Sequence, residues 1–372
     1  GSLNTPKVIP NATLLTLFMY IRHGQRVPYQ HWETSNDNFT WNCGNHYHNM
    51  NYRKPVANGV TYDFKSDPNE EYSFKPTCKD GYLLDDGYMQ LNRLGKIYKR
   101  YLVDETKILP EKYDEKNVYF RSSFLPRCIE SGTAFIDGLY PPENDNETIN
   151  VKIGSASNEP LFPHALYNDD FIKGALRFSN TEETLRREKE FDKNAEKLVN
   201  HYNLTFKYVL EKFLVGDYFT VLKCTNQPYP KEIVDDIYDE LINDTSYFVT
   251  NYFGEIRPLA DKPIFNELFN EIDAFYKHEK SNKFTLFSGH DVSLAAILVG
   301  LGYTKGKETP PPYASHITAE LWRKDGVDYI RFTFGGEVIK FRGNEITPYK
   351  DFKKIYEEYS LDKNEEQIGR AS

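Results

Sequence analysis

The feature that most limits what this chain can fold into is a nearly continuous apolar run, Leu14 to Ile21, that stops abruptly at Arg22-His23-Gly24. A strand with one wet face alternates apolar and polar residues. A run without alternation reads as a strand buried on both faces, the habit of central strands in parallel sheets. The pattern recurs twice. Val118-Tyr119-Phe120 runs into Arg121-Ser122-Ser123, and Phe284 to Ser288 runs into Gly289-His290-Asp291. Helical spacing follows each strand. Asp86 stands where a cap would precede Met89, Leu91, Leu94, Ile97, Tyr98 and Tyr101, a helix is expected from about 127 to 139, and another from Val292 to Leu301.

Strands alternating with helices predict an α/β fold with a mainly parallel central sheet flanked by helices. Ligands of such sheets bind beyond the carboxyl ends of the strands. Three such ends side by side would gather two arginines and two histidines around one point. Residues 151–280 differ in character. They are dense in charge and carry helical periods, such as Ile233, Ile237 and Leu241, so a smaller helical cap is expected there. The α/β core is then 12–150 and 281–350, with 351–372 as a polar C-terminal tail. Residues 32–79 read as a long surface excursion, and Ile317–Arg323 with Tyr329–Phe334 as a hairpin around Lys324-Asp325-Gly326.

Charge and cysteine content narrow the setting. A net charge of -9 argues against nucleic acid as a partner, because a phosphate backbone needs a basic face. Apolar runs are too short for membrane insertion. Cys43, Cys78, Cys128 and Cys224 lack the close spacing of a zinc site. Of three pairings, Cys43–Cys78 with Cys128–Cys224 is favoured, since nearer partners close first. Sequons at Asn11, Asn38, Asn146, Asn203 and Asn243 agree with an oxidising compartment, so a secreted or lysosomal protein with its leader removed is expected. His46 and His48, two apart in a loop, read as surface residues and not as metal ligands.

The residues at the three strand ends suit one chemistry. A phosphomonoester dianion wants planar bidentate donors, which arginine supplies. Its transfer needs charge neutralisation, an in-line nucleophile and an acid for the leaving oxygen. Arg22, Arg26 and Arg121 are the expected cage, His23 the nucleophile, His290 a further donor and Asp291 the acid. No metal or cofactor is called for. Asp291 also has a plainer reading as a helix cap, and Arg127 is read as structural.

Arg22-His23-Gly24-Gln25-Arg26-Val27-Pro28 resembles the RHGxRxP signature of the histidine acid phosphatases. Ser288-Gly289-His290-Asp291 is similar to their later HD element, and Arg121-Ser122-Ser123 to the motif between them. Leu139-Tyr140-Pro141-Pro142 and Pro311-Pro312-Tyr313-Ala314-Ser315 also resemble stretches of the prostatic and lysosomal branch. The resemblance implies a covalent phosphohistidine at His23, phosphate binding by Arg22, Arg26, Arg121 and His290, and proton donation by Asp291. It also implies metal-independent, ping-pong hydrolysis of phosphate monoesters, and a homodimer. Two rivals are weighed. A binding protein would need neither nucleophile nor acid, and a mutase of the same superfamily is disfavoured by Arg26-x-Pro28 and the HD element.

Overall fold

The computed structural model describes residues 1–30, 32, 38–64, 78–156, 159–162, 169–255, 257–303 and 310–358. Its apolar run is the strand Thr13–Arg22, flanked by Phe284–Gly289 in parallel and His316–Lys324 antiparallel. Val118–Ser122 and then Lys152–Ile153 continue the parallel side. Val327–Phe334 and Glu337–Ile339 extend the antiparallel side, and Thr347–Pro348 pairs with Val327–Phe334. The expected hairpin is present, turning at Asp325-Gly326, both with positive φ.

The central strand buries both faces, as its lack of alternation requires. Leu17, Met19 and Ile21 pack against the helices Asp85–Lys99 and Pro126–Leu139. Phe18 and Tyr20 pack the other way, against Arg257–Tyr276 and Asp291–Gly300. Each such buried side chain contributes roughly 1.5–3 kcal/mol. The first two helices cross at glycines. A Cβ on Gly95 would lie 1.9 Å from the Phe135 carbonyl oxygen, and one on Gly138 would lie 2.0 Å from that of Asn92. Only glycine permits that approach.

Helices run from Asp169 to Tyr276, with short breaks. Some of them pack on the sheet, where Phe178, Phe213 and Val249 share a cluster with Phe18 and Phe287, while Phe191, Leu198, Phe219, Leu222 and Leu241 form a second cluster with Phe39 and Trp41. Lys152–Ile153, placed by the sequence in the cap, belongs to the main sheet.

Three further expectations are corrected. The excursion after residue 32 is not merely surface, because Phe39, Trp41, Tyr47 and Tyr52 are buried and Lys54–Ala57 pairs with Thr148–Asn150. The polar tail begins later than 351, since 349–358 is helical and inserts Phe352 and Tyr356 into the core. The rest of that tail lies outside the described residues. Cys43–Cys78 is bonded, but Cys128 and Cys224 are free. The Cys128 thiol is buried against the sheet and donates to the Gly289 carbonyl, whereas Cys224 ends an exposed edge of the helix Val215–Cys224. No described helix is long and apolar enough to cross a membrane.

Candidate active site

The three parallel strands end nearly level. Arg22 is in register with Gly289, and Ile21 and Ser122 with Ser288. The backbone N–H of His23 donates to Gly289 O at 3.0 Å, and that of Ser123 to Ser288 O at 2.9 Å. Gly24 then passes so close to the helix Asp85–Lys99 that a Cβ would lie 2.2 Å from the Gly87 carbonyl oxygen. Beyond these ends opens a cavity of about 580 Å³, lined by His23, Arg26, Arg127, His290, Asp291 and cap residues that include Asp217 and Phe248.

His23 is buried, with Nδ1 2.8 Å from the carbonyl oxygen of Gly24. Burial first, and then the charges of Arg127 and Arg22, hold its pKa well below the ordinary histidine value. A neutral ring carries one proton. A carbonyl can only accept, so that proton sits on Nδ1 and the lone pair sits on Nε2. The arrangement yields a neutral nitrogen nucleophile.

Three arginines surround it. Arg22 donates through Nη1 to Pro311 O at 2.5 Å, pairs through Nη2 with Asp291 Oδ2 at 2.8 Å, and lies 4.1 Å from the Tyr313 ring centre. The Pro311–Ser315 stretch is thus the wall behind the first strand end: Arg22 N donates to Ser315 O, and Ala314 N to His23 O. Arg26 donates to Val27 O at 3.1 Å and pairs with Asp217 Oδ2 at 2.7 Å. Arg127 sits in the first turn of Pro126–Leu139, with Nη2 3.2 Å from His290 Nδ1 and its guanidinium 4.8 Å from the Tyr29 ring centre. In all three arginines Nε is buried and has no protein partner. An unpaired buried N–H costs about 1–3 kcal/mol, and more on a charged group, which an anion among them would recover.

His290 and Asp291 start the helix Asp291–Gly300. The cap is His290, whose backbone N–H donates to Ser293 Oγ at 2.9 Å. Asp291 is therefore not the cap, and its carboxylate faces Arg22 and the cavity. Arginine only donates, so His290 Nδ1 accepts from Arg127 and its Nε2–H points to Ser123 Oγ, 3.0 Å away. In this conformation His290 orients Arg127. Burial, then Arg127, holds its pKa well below the ordinary value.

Arg121 is a correction. It is in register with Phe287, which is level with Tyr20, two residues short of the strand end at Arg22. At about 3.3 Å per residue it starts well below the cavity floor. The pleat that sends Phe120 to the helices Asp85–Lys99 and Pro126–Leu139 sends Arg121 to the opposite face. There its guanidinium is spent on Glu159, at 2.7 and 2.9 Å, and on Glu267 at 3.0 Å. Arg127, expected to be structural, stands beside His23 with Arg22 and Arg26 instead. The available signal was Pro126: a proline at a helix start puts the next residue in the first turn, next to the preceding strand end. Asp217 and Tyr313 were also missed, since neither stands in a strand-end cluster.

A model described as histidine phosphatase superfamily (branch 2) matches residues 13–335. Counting factor 60 of Dictyostelium discoideum is 27% identical, over 92% of this chain and 84% of its own length. The 2-phosphoxylose phosphatase 1 of Xenopus tropicalis is 24% identical over 90% and 70%, and the lysophosphatidic acid phosphatase type 6 of Mus musculus is 22% identical over 76% and 68%. Among solved structures, the Hafnia alvei phytase in complex with myo-inositol hexakis sulphate superposes with a TM-score of 0.61 over 94% of this chain and 98% of that one. At 14% identity that likeness shows the fold alone.

Proposed function

The chain belongs to branch 2 of the histidine phosphatase superfamily, and on that premise we propose that it is an acid phosphatase that hydrolyses phosphomonoesters through a phosphohistidine at His23. One observation carries this reading: a neutral, buried His23 stands among three arginines whose Nε–H groups have no protein partner. The guanidinium groups of Arg22, Arg26 and Arg127 neutralise the phosphoryl oxygens and hold phosphorus in line with Nε2. The P–N bond forms as the ester P–O bond breaks, and the protonated form of Asp291 gives its proton to the departing alcohol oxygen. Water then attacks phosphorus from the vacated side, Asp291 takes back a proton, and Nε2 leaves as the neutral imidazole nitrogen. No step needs a metal.

A protein that only held phosphate would need neither a neutral nitrogen facing the cage nor an acid beside it. The same reading puts the protein in an oxidising, glycosylating compartment, secreted or lysosomal. It is supported by the Cys43–Cys78 bond and by the exposure of all five sequon asparagines. The mechanism is tested by rapid quench with phosphorus-labelled ester, which should trap an acid-labile, base-stable label on the peptide bearing His23. A wild-type enzyme that turns over in the burst phase with no such label would point to direct attack by water.

A further inference from the structure

The cavity is uneven in charge. Arg26 and Arg127 line it, and Arg22 stands behind His23, so the described cations converge on the end where one phosphoryl group would sit. His23 and His290 add no positive charge there, since burial and the arginines keep both neutral. The rest of the lining, contributed mostly by the cap, includes Phe124, Leu214, Tyr218, Phe248 and Val249, with the Phe162 ring against His290. No described lysine and no further described arginine belongs to it. The cap's one described charge there is negative: Asp217, on the helix Val215–Cys224, holds Arg26 at 2.7 Å and leaves 22% of its side chain exposed to the cavity.

We propose that this site takes singly phosphorylated esters of apolar or aromatic alcohols, and that Asp217 is the residue that turns a second phosphate away. The inference rests on the phosphatase reading and names its substrate class. An alcohol moiety leaving the cage meets rings and aliphatic side chains, which reward apolar surface. A second phosphate there would lose its water, find no cation, and face a carboxylate. Two charges of one sign a few Å apart in a half-buried cleft repel by enough to shift a rate constant about tenfold or more. Asp217 thus has two effects that can be separated. By gripping Arg26 it positions a cage donor for every substrate, and by its charge it acts selectively on polyanions.

The test compares phenyl phosphate with benzene-1,4-diyl bisphosphate, which differ only in the second phosphate, on the intact protein at mildly acidic pH. Wild type should favour the monophosphate in kcat/KM by about tenfold or more. Asp217→Asn, nearly isosteric, should raise KM for both esters and narrow their ratio several-fold, leaving only the discrimination due to desolvation and the missing cation, while Asp217→Glu should keep the full ratio. Equal turnover of the two esters by wild type, or an unchanged ratio in Asp217→Asn, would overturn the proposal. The wild-type ratio decides the matter by itself if the Asn variant does not fold. Lack of turnover with either ester, and of any label on His23, would instead remove the phosphatase reading beneath it.

Discussion

Arg22 Nη2 and Asp291 Oδ2 lie 2.8 Å apart, an ion pair that ties the end of the central strand to the first turn of the helix Asp291–Gly300. Asp291 lines the His23 cavity and Arg22 is buried behind it, so the pair is a part of the site and not a surface clasp. On the proposed mechanism, phosphate entering the cage competes with Asp291 for Arg22.

That relationship sets the expected behaviour of Asp291→Asn. An amide cannot protonate a leaving oxygen, so alkyl phosphates should lose about 10²–10⁴ in kcat. Aryl phosphates, whose phenolates depart unaided, should lose far less. Steady-state kinetics on the two ester types checks this. Equal losses would show that Asp291 only orients Arg22.

Arg121 and Arg127 should separate cleanly on mutation. Arg127→Ala removes a cage donor, so kcat/KM should fall by about a hundredfold or more and inhibition by inorganic phosphate should weaken, with little change in melting temperature. Arg121→Ala leaves Glu159 buried without its cation, and should cost about 3–5 kcal/mol of stability while the KM of the surviving folded enzyme stays near wild type. Urea unfolding together with kinetics reads both. The opposite pattern would return Arg121 to the cage.

This pair also shows where the sequence stops being legible. The nearly continuous apolar run of Leu14–Ile21 has the length and lack of alternation of a strand buried on both faces, which puts the Arg22-His23 turn that follows at the sheet's carboxyl edge. Arg121 looked equivalent because it also follows an apolar triplet. Its face and its depth depend on pairing register with Phe284–Gly289, a long-range property that no local pattern encodes. Cys128 misled for a similar reason: sequence separation says nothing about which way a helix turns its thiol. The helix 349–358 was hidden because only Tyr349, Phe352 and Tyr356 bury in an otherwise polar stretch.

The thiols give an independent check. Non-reduced peptide mapping should find Cys43 linked to Cys78. The exposed Cys224 should alkylate in the native protein, and Cys128 only after denaturation, because burial pushes its thiol up to about 12 and shields it. A Cys128–Cys224 peptide would contradict the structure.

His316 predicts a pH dependence of stability. It is wholly buried in the strand His316–Lys324, edge-on to the Tyr98 ring with centroids 5.1 Å apart. Burial lowers its pKa to about 3. In the unfolded chain the value returns to about 6.5. Between these values the unfolded state binds a proton that the folded state refuses, so stability rises with pH there and is lost as pH falls below about 6.5. For this residue the loss approaches about 3 kcal/mol at pH 4, to order of magnitude. His23 and His290 act in the same direction. An aromatic ring without a titrating nitrogen abolishes this contribution, so His316→Phe should flatten the decline between pH 6.5 and 4. Urea unfolding across that range, in wild type and variant, measures the two slopes. Parallel slopes would mean that His316 is protonated in the fold and paired with an acceptor there, and the acid sensitivity would then belong to other groups.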